Sequence, residues 1–339
     1  MKILIIYAGH TINENLVYFC RNGYINDPLY DFIFIFNNPD LKLEFSLDRD
    51  NVKIFNRENI GLDFAAWTHI LFLKDNDKFL YEKYDFFILL NSTVRGPFLP
   101  PYYNQKHQGY WPELFISKLN NDIKLVGASV SFYHYKPFIS SAFLVMDKVG
   151  LNIGIKNCIF DPDNIEKSKM NIVLKKEIKL SSEIINAGYD IKCMLAFYKN
   201  IQIKTYKPAE PSICYLNPTR YFGFNVNPYE IVFIKTNRKI DPILIDKYTK
   251  WNIDKTNNIL KIKYGISEEE SIDITNAMNS YIMNKYILSP TTCINKIVKS
   301  DPYPNKNKKI FIYIKDGNNI IMKSLNEVNS HLITNFIFV

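Results

Sequence analysis

The sequence predicts an α/β fold, with a mostly parallel sheet covered by helices on both faces, followed by a small β-rich domain. Three observations carry that reading. Short apolar, β-branched runs alternate with helix-periodic stretches as far as about residue 238, the pattern of strands joined by helical crossovers. Several of those runs stop abruptly at polar residues, which gathers polar side chains along one edge of the sheet. Beyond about Arg238 the helical periodicity fades and short β-like runs take over.

In chain order, Lys2–Tyr7 is the first expected strand. Thr11 to Glu14 has the spacing of a capping box, and Leu16, Val17, Phe19 and Cys20 form the apolar stripe of a helix ending at Gly23. Asp31–Phe36 is a second strand, running into Asn37-Asn38. Val52–Phe55 is a third, expected to be buried, and it feeds a polar turn at Gly61. Asp63 then opens a helix to Leu73, with Ala66, Ile70 and Leu73 at helical spacing. Phe86–Leu90 breaks at Asn91-Ser92-Thr93, followed by Arg95 and a Gly-Pro pair. Trp111-Pro112 starts a helix to about Leu119, and Lys124–Val130 and Ile139–Val145 are further strands. Ser181 or Ser182 is expected to cap a short helix that stops at Gly188, with Tyr189–Leu195 extended after it. In the tail, Ile259–Tyr264, Ser271–Thr275, Lys308–Ile314 and Asn319–Met322 read as strands, with turns at Asp301-Pro302 and Asp316-Gly317. The division expected is residues 1–240 and 241–339, with the boundary somewhere in 238–258.

Composition narrows the function classes. Hydrophobic content of 47% with 15% aromatic residues over 339 residues is that of a globular chain. The net charge of +8 is spread along the chain and accompanies no nucleic-acid-binding signature. It fits a protein that handles anionic small molecules. The cysteines Cys20, Cys158, Cys193, Cys214 and Cys293 form no CxxC pair, so neither a zinc site nor a disulfide framework is supported. A reducing, cytoplasmic location is the expectation. The opening MKILIIYAGH is too short for a signal peptide, and no stretch has the length of a membrane span.

The run NRENIGLDFAAW resembles the Asn-x-Gly-x-Asp segment of rhamnan-synthesis-F-like glycosyltransferases. YDFFILLNSTVRGPFLP, KLVGASVSF, SSAFLVMD, EIKLSSEIINAGYDI and NPYEIVFIKTNR resemble successive blocks of a related family in algae, fungi and large DNA viruses, over roughly residues 13–238. KYGISEEESIDIT and SDPYPNKNKKIFIYIK are similar to a β-rich appendage in viral relatives. The resemblance implies a GT-A-like (Rossmann-like) domain. Its implied activity is transfer of a sugar from a UDP-, GDP- or dTDP-linked donor to a glycan or glycoprotein hydroxyl, in the host cytoplasm if the chain is viral. EIKLSSEIINAGYDI is also similar to the family 2 glycosyltransferase segment in which an acidic pair precedes a helix ending in Ala-Gly-Tyr. Counted back from Gly188, Glu177 falls where those enzymes keep their base, which implies an inverting reaction. Two departures stand out. Phe138-Ile139-Ser140-Ser141 occupies the place of a His-Val-Gln-Ser stretch. Asn91-Ser92-Thr93 occupies the place of the Asp-x-Asp that holds Mn²⁺ or Mg²⁺, so metal dependence stays open.

Each candidate has a competing reading. Glu177 is the base or a solvated member of the charged run Lys175-Lys176-Glu177. Asp63 is a ligand to base, ribose or sugar hydroxyl, or a helix cap. Asn91, Ser92 and Thr93 are donor contacts, though amides and hydroxyls are poor primary ligands for a hard cation. Arg95 has a fork suited to phosphate, or is a surface residue packing on Trp111 or Tyr102. Lys235 and Arg238 are second-rank phosphate candidates. Asn59 and Gly61 serve the turn and offer backbone N–H groups to a donor phosphate. Glu230 is an acceptor contact or the start of an edge strand. His10 and His134 stand alone without metal partners, and Trp67 and Trp111 are expected in the core. The alternative function, from a different class, is a catalytically silent nucleotide-sugar or glycan-binding module.

Overall fold

The structure is a computed structural model, described over residues 1–41, 50–256, 259–278, 294–316 and 319–327. Cys293 and the turn at Gly317 lie outside the described residues. The chain forms two compact units, the first carried by residues up to Ile245 and the second chiefly by residues from Asp246 onward.

Seven strands build the central sheet of the first unit: β1 (Ile3–Gly9), β2 (Tyr30–Phe36), β3 (Val52–Asn56), β4 (Phe86–Asn91), β5 (Ile123–Gly127), β6 (Phe143–Asp147) and β7 (Asp190–Cys193). Their spatial order is β7-β5-β6-β4-β1-β2-β3. All neighbours are parallel except β6, which runs antiparallel to both β4 and β5. Every residue of β1 is buried. That is what a continuous Ile-Leu-Ile-Ile run requires in a parallel strand covered on both faces. Trp67 and Trp111 are fully buried, as expected of core residues. The strand at Val52–Asn56 is not the buried one expected: it is the last in the sheet, and none of its residues is buried.

Several other boundaries move for local reasons. The first helix, α1 (Glu14–Asn22), is capped by Asn13 and not from Thr11, because the Asn13 side chain accepts from Leu16 N at 3.0 Å. The single strand expected over Ile139–Val145 is two. Lys136–Ile139 joins Val130–Tyr133 and Ile213–Cys214 in a small antiparallel sheet, and Phe143–Asp147 is β6. Neither Ser181 nor Ser182 begins a helix. Ser168 caps one that runs through Lys169–Ile172, a π-helical turn at Val173–Ile178, and Lys179–Asn186. Buried Ser181 instead accepts a hydrogen bond from Ile139 N at 3.0 Å. No edge strand starts at Glu230: Asn227 caps a helical turn over Pro228–Ile231, and the strand begins only at Ile234–Lys235.

The second unit contains a four-stranded antiparallel sheet in the order Ser271–Asp273, Ile259–Gly265, Lys309–Asp316, Asn319–Asn326. Its core gathers Ile262, Tyr264, Ile274, Met278, Ile310 and Ile312. The fading of helical periodicity after Arg238 does not hold throughout, because Pro242–Thr256 is a helix of 15 residues. Ile243, Leu244 and Trp251 are exposed along it while Ile245 and Thr249 are buried, so its apolar residues trace no single stripe. No helix among the described residues is long and apolar enough to cross a membrane.

Candidate functional site

From β1 the chain moves to β2 and β3 on one side of the sheet, then returns to β4 on the other side of β1. The carboxyl ends of β1 and β4 therefore flank the point where strand order reverses, the place where open α/β sheets form a ligand crevice. Asn91 ends β4 opposite Ala8 of β1.

The helix α2 (Leu62–Leu71) begins beside this edge. Gly61 precedes it in the left-handed region at φ +78° and is buried, and a Cβ there would lie 2.5 Å from Ile165 Cγ2 and 2.6 Å from Ala65 Cβ. Only glycine meets both demands at no cost, so its expected role in the turn stands. Asn59 is exposed on the approach. Asp63 lies in the first turn of α2, and its Oδ2 accepts from Asn91 Nδ2 at 2.6 Å. Asn91 Oδ1 in turn accepts from Thr93 N at 3.1 Å and Thr93 Oγ1 at 2.6 Å.

The loop that follows is tied down from α1. Ser92 O accepts from Asn13 Nδ2 at 3.0 Å and Asn15 Nδ2 at 2.9 Å. Arg95 is buried, with its Nε donating to Asn15 Oδ1 at 2.9 Å and an Nη2 donating to Glu14 Oε2 at 2.7 Å. The expected alternative of a surface Arg95 packing on Trp111 or Tyr102 is thus corrected: its guanidinium fastens the loop to the start of α1. Val94–Arg95 pairs with Ile234–Lys235, with Lys235 opposite Val94, and Thr236 N donates to Thr93 O at 2.9 Å. This pairing carries Lys235 to the sheet edge from the far end of the unit's sequence. Arg238 is exposed three residues on.

Glu177 arrives from a third direction, inside the π-helical turn, a local widening often seen at functional sites. Its Oε1 accepts from Ser141 N at 2.7 Å, which explains why the chain breaks between the small sheet and β6. Glu177, Asp63 and Lys235 lie within electrostatic reach of one another. Burial holds the Glu177 carboxyl above the ordinary carboxylate range, opposed by the Ser141 N–H and by Lys235 and reinforced by Asp63. Asp63 is raised by burial too, opposed chiefly by the Asn91 amide. Burial lowers the Lys235 ammonium, with Glu177 pulling it back up. Titratable groups displaced together in this way mark candidate acid–base sites.

Glu230 is neither at this edge nor in a strand. Its Oε1 accepts from Ala196 N at 2.7 Å and from Tyr221 Oη at 2.8 Å. Sequence reasoning did not single out Arg57, which lies just past β3 and donates to Asn37 Oδ1 at 2.6 Å and Ile60 O at 2.8 Å. His10 Nδ1 meets Asn37 O at 2.6 Å. The signal for Arg57 was present, since it directly follows a strand. Among the described residues, no three His, Cys, Asp or Glu side chains are arranged to hold a metal. At the edge itself the donor set is two carboxyls that share an ammonium, with an amide N–H already on Asp63, which does not fit a hard dication.

No family model matches the chain, and no curated protein matches it. Among solved structures it is similar to one described as a glycosyltransferase involved in the glycosylation of the major capsid of PBCV-1. The match has 14% identity and a TM-score of 0.31, covering 60% of this chain and 90% of that one. At that level the likeness carries no argument, and the functional reading rests on the sheet and its edge.

Proposed function

We propose that this chain is a GT-A-like glycosyltransferase that moves a sugar from a nucleotide-diphosphate donor to a glycan hydroxyl with inversion. The observation that carries the reading is the meeting of Glu177, Asp63 and Lys235, from three distant segments, beside the carboxyl ends of β1 and β4. In this reading Glu177 takes the proton from the acceptor hydroxyl. The acceptor oxygen forms its bond to the anomeric carbon as the bond to the leaving diphosphate breaks. Lys235 meets the charge that develops on that leaving group, the work that positive side chains do at transferring phosphates. Asp63, its carboxylate fixed by the Asn91 amide and by the Asp63 and Phe64 N–H groups at the start of α2, holds base, ribose or sugar hydroxyls. Arg95, with Ser92 and Thr93, positions the loop without touching the donor. No step runs through Mn²⁺ or Mg²⁺, because Lys235 occupies the electrostatic role such an ion would have.

A thermal-shift panel of UDP-, GDP- and dTDP-sugars, with and without Mn²⁺, tests this directly. Selective stabilisation by one nucleotide class, independent of the metal, is the expected result, since a ligand that binds only the folded state stabilises it in proportion to RT ln(1 + [L]/Kd). Stabilisation without turnover against any acceptor would favour the catalytically silent binding module. No response to any nucleotide would remove the transferase reading.

A further inference from the structure

Away from the sheet edge, a cavity of about 270 Å³ is lined by Tyr206, Tyr215, Phe222 and Ile213, together with the ion-paired Glu210 and Arg220. Its aromatic wall stands open to solvent: Phe222 is 56% exposed, and Phe197, whose ring centroid is 4.6 Å away, is 39% exposed. The rings are held in place by hydrogen bonds. Tyr215 Oη lies 2.7 Å from Tyr198 Oη. Tyr221 Oη donates to Glu230 at 2.8 Å and accepts from Phe197 N at 3.2 Å. Phe222 sits at φ +53° beside Gly223 at +86°, in a turn fastened by Thr219 N donating to Asn225 Oδ1 at 2.8 Å. A bulky residue in the left-handed region is uncommon and persists only where the surroundings dictate it. Here the turn projects an aromatic ring into water, which core packing does not require.

The wall combines two kinds of surface. Aromatic faces carry negative charge density and attract the weakly positive C–H face of a pyranose. The Arg220 guanidinium donates and the Glu210 carboxylate accepts, which matches a rim of hydroxyls that do both. The pair has no net charge, so it favours a neutral ring over a phosphate or a carboxylate. The volume falls below the roughly 300–1,000 Å³ of pockets for drug-sized ligands, which suits a single ring. The cavity is also linked to the candidate active site through the small antiparallel sheet. Cys214, next to Ile213, pairs with Ser131, which pairs with Phe138, and three residues further on Ser141 N holds Glu177. Two strand spacings and three extended residues put the cavity on the order of 10–15 Å from that carboxylate.

We infer that this aromatic cavity binds a neutral saccharide ring and serves as a subsite for the glycan acceptor; the second half of the inference rests on the proposed function. Glu230 is then a positioning residue, anchoring the ring-bearing loop through Tyr221 and Ala196. The test is ligand-observed saturation-transfer NMR on the full chain, without nucleotide, using a panel of methyl glycosides of glucose, galactose, mannose, xylose, fucose and rhamnose. At least one glycoside is expected to bind, and Phe222→Trp is expected to retain it. Phe222→Ala and Phe222→Leu are expected to weaken it roughly tenfold, the scale of an aromatic contact together with its buried area. Binding unchanged in Phe222→Ala, or no glycoside binding at all, would overturn the inference. Calorimetric titration of the same variants with nucleotide sugars reads the donor site separately: donor binding that survives while saccharide binding fails sinks only the subsite. Loss of donor binding in the parent chain sinks the transferase reading and leaves a saccharide-binding cavity in place.

Discussion

Replacing Glu177 with Gln removes a negative charge and a proton acceptor while keeping volume and the oxygen that accepts from Ser141 N at 2.7 Å. If Glu177 is the base, the loss is large. A positioned general base contributes about 10²–10⁴ in rate, which is about 2.7–5.4 kcal/mol of barrier at 1.36 kcal/mol per tenfold. Transfer should fall by at least roughly 10²-fold, with nucleotide-sugar affinity nearly unchanged. Stability should move the other way. Burial raises the folded-state pKa of Glu177, so the folded protein binds this proton more readily than the unfolded chain does. Between the unfolded value and the raised folded value, stability therefore falls as pH rises, and at neutral pH the charge is held at a cost. The melting temperature of Glu177→Gln at neutral pH should equal or exceed that of the parent, and the difference should vanish below an ordinary glutamate pKa of about 4.3. The same raised value places the acid limb of kcat/KM above that of an unperturbed carboxylate, since the base must be ionised to act. Transfer assays, donor titration calorimetry and a pH series of thermal unfolding read these effects separately. Undiminished turnover would remove Glu177 from the mechanism. A melting temperature several degrees lower at neutral pH would refute the account of its environment, because the charge would then be stabilising.

Lys235→Met should weaken a free nucleoside diphosphate by roughly tenfold or more, as expected for one lost hydrogen bond to a charged group of about 1.5–3 kcal/mol, while calorimetry shows the uncharged nucleoside binding as before; equal losses for both would take Lys235 off the phosphate. Turnover should survive EDTA, because an ammonium rather than a dication faces Asp63 and Glu177; abolition by chelation with rescue by Mn²⁺ would contradict this. Gly61→Ala should destabilise the protein by about 1–3 kcal/mol through a strained left-handed alanine, with the contacts to Ile165 and Ala65 adding to it. Thermal unfolding indistinguishable from the parent would show that the turn relaxes freely.

The alternation of strands and helices was legible because buried parallel strands demand unbroken apolar runs, and Ile3–Gly9, Tyr30–Phe36 and Phe86–Asn91 supply them. The polar ends of β1, β2 and β4 were legible for the same reason, since each apolar run stops where the sheet does. What sequence did not convey was set by partners far away in the chain. Val52–Asn56 reads as buried, yet it is an edge strand because no strand among the described residues pairs with its open side. The break after Ile139 depends on a carboxylate 36 residues on. Arg95 reads as a phosphate ligand or a surface side chain, yet its fork is taken up by Glu14 and Asn15, about 80 residues earlier. Local pattern carries propensity and burial, and says nothing about which distant side chain completes a hydrogen bond.

The same distinction explains why the candidate site needs a sheet of this topology. Asp63 reaches the edge through the turn after β3, Asn91 through the end of β4, and Lys235 through a two-residue pairing with Val94–Arg95. Glu177 comes from a helix widened by one π-helical turn, and its carboxylate is met by the backbone where the small sheet hands over to β6. The three ionisable groups come from segments far apart in the chain, and burial displaces all three in the direction that disfavours charge. A scaffold selected for stability alone gains nothing from collecting, at a reversal of strand order, two carboxyls and a lysine whose charged forms burial disfavours. In the proposed function the ligand supplies what the protein withholds, a diphosphate for Lys235 and a hydroxyl proton for Glu177.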